Sequence, residues 1–106
     1  MRKNEQNIIN AACIREFDSA MREAKSIIHT RSWKRFRTCS AEVLNTFDYA
    51  ILRSYDTIVA CVNLNTGVGY DLLRCEYGYT ATSAQHIAKF FNEYNVEKRY
   101  IWRYVG

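Results

Sequence analysis

The chain has no proline, only four glycines and no apolar run longer than the five residues Ile58 to Val62. A helix that crosses a membrane needs roughly 20 apolar residues in succession, so none is expected and no membrane partner follows. Arg2 and Lys3 are followed by Asn4, Glu5, Gln6 and Asn7 rather than by an apolar signal core. That pattern predicts a mature chain that begins here and stays in the cytosol. Close cysteine pairs are missing too. Cys13, Cys39, Cys61 and Cys75 are widely spaced, and His29 and His86 do not complete a ligand pair with them. Structural zinc sites draw ligands two at a time from one turn, so no metal is expected, and no cofactor. The thiols read as reduced, small and buried. No P-loop, G-x-S-x-G, H-E-x-x-H or paired-carboxylate signature occurs.

Acid is absent from one stretch. Residues 29–40 contain no Asp or Glu, while Arg31, Lys34, Arg35 and Arg37 surround Trp33 and Phe36. The chain has 15 Lys+Arg against 11 Asp+Glu, so this stretch holds the whole net charge of +4. Clustered cations attract phosphates through counterion release. An exposed aromatic adds base stacking of roughly 1–3 kcal/mol. Near the C-terminus Lys98, Arg99 and Arg103 alternate with Tyr100, Trp102 and Tyr104 and extend the candidate face. The plainer reading is a helix that buries Trp33 and Phe36, three apart, and leaves ordinary solvated charges outside. Eight tyrosines and two tryptophans exceed what a small core holds easily. Some should lie near the surface, where Tyr, Trp and Arg favour protein contacts, self-association among them.

What is present suits one domain over residues 1–106, with 48% apolar and 25% charged residues. No linker, repeat or low-complexity tract divides it. Over residues 5–28, Ile9, Cys13, Phe17, Ala20, Ala24 and Ile27 recur at helical steps, with Ile8, Ala12, Met21 and Ile28 widening the stripe. Asp18 and Arg22 are spaced as an i,i+4 pair on its wet side. Residues 29–40 fit a short helix or a connector equally well. From about 43 to 76 the period is two. Tyr49 to Tyr55 alternate, Ile58 to Val62 are apolar on both faces and so central, and Tyr70 to Cys75 alternate again after an Asn65-Thr66-Gly67 turn. Thr82-Ser83-Ala84-Gln85 fits a capping box that opens a second helix, with Asn95 as its stop. A last strand is expected over about 98–105, at a sheet edge. The expected fold is α+β: a long N-terminal helix, a small antiparallel sheet, a second helix packed on it and a C-terminal strand.

Two strings carry a likeness. Leu52-Arg53-Ser54-Tyr55-Asp56-Thr57-Ile58-Val59-Ala60 fits L-x-S-Y-x-T-x-h-A. The run from Tyr79 to Phe90, with Thr82, His86 and Lys89, fits Y-[ST]-x-T-[ST]-x-x-H-I-x-K-F. In this order they resemble a family of small uncharacterised domains from phages and other mobile elements of Gram-positive and gut bacteria. The likeness covers about residues 50 to 94. Where such domains often carry a second hydroxyl or a Lys before the His, this chain has Ala84 and Gln85. The resemblance implies an accessory protein in the cytoplasm of a bacterial host. Such proteins often bind host machinery, and inhibitors of CRISPR nucleases are one class. The expectation is a non-enzymatic protein that inhibits or modulates a host nucleoprotein, such as a Cas effector. Arg31, Lys34, Arg35 and Arg37 would contact it, with Trp33 as anchor. A stand-alone RNA- or DNA-binding module is the alternative. An enzyme using His86 as its base is the third reading.

Overall fold

The computed structural model describes residues 3–36, 40–76 and 80–105. Arg37, Cys39 and Tyr79 lie outside them. The elements run α1 (Lys3–Ile27), β1 (Lys34–Arg35), β2 (Ala41–Asn45), β3 (Tyr49–Ser54), β4 (Thr57–Asn63), β5 (Gly69–Asp71), α2 (Leu73–Glu76), α3 (Ala81–Glu93) and β6 (Arg99–Ile101). The six strands form one sheet in chain order. Each pair from β1 to β5 is antiparallel, and β6 is parallel to β5. The parallel pair follows from the connection: a strand that returns through a helix runs in its original direction. The fold is α+β, as the residue pattern predicts.

Helix α1 covers one face of the sheet and α3 the other. Cys13, Ala20 and Ala24 of α1 pack with Leu44, Tyr49, Ile51, Cys61 and Tyr70. Ile87, Phe90 and Phe91 of α3 pack with Val43, Ala50, Leu52, Ala60 and Val62. This double cover explains why β4 reads as apolar on both sides. Small residues on the buried side of α1 let the helix lie close to the strands. The stripe is narrower than its periodicity suggests: Ile8 is 70% exposed and Ile28 44%. Arg22 donates to Ser19 rather than pairing with Asp18.

Three local readings are corrected. The alternation from Tyr70 to Cys75 is not one strand. Strand β5 stops at Asp71, whose Oδ1 accepts from the Leu73 amide at 3.0 Å and starts the turn α2. Leu72 and Leu73 are both buried, one in each core layer, so burial on two sides mimicked a strand. Thr80, not Thr82, caps α3, since its hydroxyl accepts from the Ser83 amide. Both threonines carry a suitable group, and the upstream one captures the amide. The last strand is only Arg99–Ile101. Trp102 N–H still donates to the Asp71 carbonyl, and the chain then bonds to α1: the Arg103 N–H donates to Asn10 Oδ1 and its carbonyl accepts from Asn10 Nδ2. Asn95 does end α3, at φ +54°.

Strands β3 and β4 join through Tyr55 and Asp56 alone, at φ +48° and +68°. A two-residue hairpin turn of type I′ needs positive φ at both positions, which usually selects Asn-Gly. Asp56→Gly is expected to stabilise the fold by about 0.5–1 kcal/mol, because glycine removes the left-handed penalty at some cost in unfolded-state entropy. Urea midpoints measure this. A lower midpoint would mean that the aspartate itself holds the turn.

Candidate functional site: a divided basic edge and a buried serine–histidine cluster

The described part of the acid-free stretch, residues 29–36 and 40, contains no helix and is not a plain connector. It supplies the short edge strand β1, with Lys34 opposite Val43 and Arg35 opposite Glu42. Strand pleating turns neighbours to opposite faces. Trp33 therefore packs in the α1 layer and Phe36 in the α3 layer. The cations are divided in the same way: Lys34 shares the α3 side with Val43, and Arg35 shares the α1 side with Glu42. Both are exposed. They do not project as one patch.

Arg31 is held rather than loose. Its Nη1 donates to the Asn45 and Thr46 carbonyls at 3.0 and 3.3 Å, and its Cζ lies 5.1 Å from the Phe47 ring centroid. Glu23 of α1 fastens the same β2–β3 turn by accepting from the Thr46 hydroxyl and the Asp48 amide. Three guanidinium N–H groups of Arg31 remain after these two bonds. Arg31 and Lys34 line a hollow of about 350 Å³ together with Thr30, Ser32, Val43 and Asn45. Two cations, two hydroxyls and an amide meet there, and among the described residues no carboxylate is in the lining.

The C-terminal cations do not extend this face. Strand β6 is the opposite edge of the sheet, five strand spacings or roughly 24 Å from β1. Lys98 Nζ lies 5.1 Å from the Tyr100 centroid, and Arg99 Cζ 5.1 Å from that of Phe91. Asp71 is half-buried, and burial pushes its carboxyl above the usual range, against the nearby positive charges of Arg74, Arg99 and Arg103.

The two motif strings meet inside the fold. Ser54 Oγ lies 2.8 Å from His86 Nδ1 and 3.0 Å from Ser83 Oγ. The Tyr55 ring stands 5.9 Å from the imidazole and tilted by 37°. Burial, then the Lys89 ammonium, pushes the His86 pKa below its ordinary 6.5. Thr82 and Lys89, the other motif residues described, are exposed on the same helix. Ser54 and Ser83 are the residues that reasoning from charge passes over. The available signal was their place in the same two strings as His86. The distance is that of a nucleophile and its base. Ser54, Ser83 and His86 are 0%, 1% and 4% exposed, so the cluster lies beneath the surface. The arrangement is a satisfied polar contact that pins α3 to the end of β3.

Cys13 and Cys61 are free and buried, and Cys75 is half-buried. Burial raises the Cys13 pKa to about 12 and pushes the Cys61 thiol up as well, which keeps both protonated and unreactive. Among the described residues no group of three His, Cys, Asp or Glu is placed to hold a metal ion. Among them, too, no helix is long and apolar enough to cross a membrane.

A six-stranded sheet between two helices, with cations at both edges, defines a small α+β fold. Residues 22–104 match a family of unknown function, DUF8033, and the chain belongs to that family. The match begins inside α1, so most of that helix precedes it, although Gln6, Cys13 and Ala20 are buried parts of the fold. No curated protein matches the chain, and no solved structure does.

Proposed function

We propose that the chain is a non-enzymatic binding protein, an accessory product of a phage or mobile element, that grips a host nucleoprotein at the β1 edge. A CRISPR nuclease complex is the most concrete target, on the strength of the resemblance carried by the Ser54 and His86 strings. The observation that supports the reading is the hollow between Arg31 and Lys34, where cations and hydroxyls converge without an acid. Arg31 is pre-set by its two carbonyl bonds, so little side-chain entropy is lost when an anion arrives. Arg35 adds charge on the other side of the strand. The burial of Ser54, Ser83 and His86 favours binding over catalysis.

Titration of the protein with a fluorescent RNA at several salt concentrations tests this. Two phosphates seated at the edge give a slope of about −1.4 in log affinity against log salt for a single strand. Lys34→Glu is expected to remove about one phosphate's share of that slope and to weaken binding at every RNA sequence alike. A flat salt response, with Lys34→Glu binding as the native chain does, removes direct nucleic-acid contact from the proposal. Capture of a host effector that survives nuclease digestion separates a protein target from a stand-alone nucleic-acid module.

A further inference from the structure

The α1 side of the same edge carries a second, chemically different opening. A groove of about 240 Å³ lies where the end of α1 meets the sheet, lined by the apolar Met21, Ile28, Trp33 and Ile58 and by Lys25 and Arg53. Ile28, left 44% exposed, is a part of the helix stripe that the rest of the fold leaves uncovered at this groove. Trp33 is already braced. The Arg53 guanidinium lies 4.2 Å from its ring centroid and is itself held by Glu42 at 2.7 Å. One wall of the groove is therefore set before anything enters. Among the described residues its charged lining is Lys25 and Arg53; Arg53 is paired with Glu42, whereas Lys25 is exposed with no carboxylate within pairing distance.

These features select an occupant. An apolar floor rewards a bulky side chain, and a cationic rim rewards carboxylates beside it. A second copy presenting the same groove would set Lys25 against its own kind, since Arg53 is already paired with Glu42. A nucleobase would find one face of Trp33 taken by Arg53 and, past the two cations, no hydrogen-bonding side chain in the lining. We propose that this groove docks an acidic segment of a protein partner, with one bulky apolar side chain against Trp33 and Ile58 and a flanking carboxylate on Lys25. The proposal rests on the reading of the chain as a binding protein. It gives the protein part of a nucleoprotein its own contact, on the sheet face opposite the Arg31–Lys34 hollow.

The minimal probe is 3-phenylpropionate, an aromatic ring with one carboxylate, compared with the cationic phenethylamine. Nuclear magnetic resonance of the full chain reads the Trp33 indole N–H and the Ile58 methyl groups. Millimolar 3-phenylpropionate is expected to shift both signals, with phenethylamine about fivefold to tenfold weaker. Lys25→Glu should reverse that preference. Ile28→Glu, at a surface position that leaves the core intact, should abolish the shifts by placing an acid in the groove. Lys34→Glu should leave them unchanged, so failure of the phosphate hollow and failure of this groove are read separately. Equal binding of acid and amine, shifts that persist in Ile28→Glu, or no shift at millimolar probe overturns the proposal. So does a ligand-free, concentration-dependent shift at the same residues, which would make a second copy the occupant.

Discussion

A Phe90→Ala chain is expected to be about 3–5 kcal/mol less stable than the native one. Phe90 is wholly buried and joins three rings: Phe36 at 6.2 Å, Phe91 at 5.8 Å and Tyr94 at 5.2 Å between centroids. Deleting it removes transfer free energy and leaves a cavity whose walls belong to a helix and a sheet that cannot easily close on each other. A domain of this size loses about 4–8 °C of melting temperature per kcal/mol, so Tm should fall by about 12 °C or more. The consequence reaches the candidate site, because Phe36 directly follows the Lys34–Arg35 strand and anchors that edge to the α3 layer. Hydrogen exchange at the β1–β2 pair should therefore quicken more than exchange in β4. A loss below about 1 kcal/mol, with the edge as protected as before, would show that the edge is held by something other than this ring cluster.

The second large effect belongs to His86. Replacement by Leu deletes one of the two hydrogen-bond partners of a fully buried Ser54 hydroxyl, leaving Ser83, and should cost about 1–3 kcal/mol. The pH dependence sharpens the test. The native imidazole binds its proton less readily than an unfolded one, whose ordinary pKa is 6.5. The unfolded chain thus holds more protons as the pH drops past that value. Stability from this group is complete above pH 6.5, declines as the pH falls, and levels off below the depressed native pKa. The slope is at most about 1.4 kcal/mol per pH unit. His86→Gln keeps a hydrogen-bonding side chain but cannot titrate, so its stability should lack this slope. Asp71 acts with the opposite sign, since its carboxyl is raised and the native state holds that proton more readily. That contribution is common to both chains and cancels in their difference. Urea unfolding of the two chains between pH 7.5 and 5, if it gave parallel stability profiles, would remove His86 as the source of the pH response.

Much of the architecture is legible along the chain. The three- and four-residue recurrence of Ile9, Cys13, Phe17 and Ala20 gives α1, and the unbroken apolar run of Ile58 to Val62 gives a central strand. Asn95 ends α3 because an asparagine tolerates the left-handed conformation found there. These features were readable because each depends on residues close in sequence. The failures are equally local. Leu72 and Leu73 looked like part of a strand because a chain lying between two core layers buries neighbours on both sides, whatever its backbone conformation.

The site divides along the same line. Composition determined that the net positive charge sits in residues 29–40, because acid is absent there and nothing else is unbalanced. Composition could not determine where that charge points. Only the pairing of β1 with β2 decided that Lys34 and Arg35 face opposite sides, since pleating acts once a register exists. Only the strand order decided that Arg99 and Arg103 serve the far edge. Only the packing of α3 against β3 brought Ser54 to His86, 32 residues apart in sequence. Charge and periodicity are properties of neighbours along a chain, whereas a hollow, a groove or a buried cluster is made by residues that only folding makes neighbours.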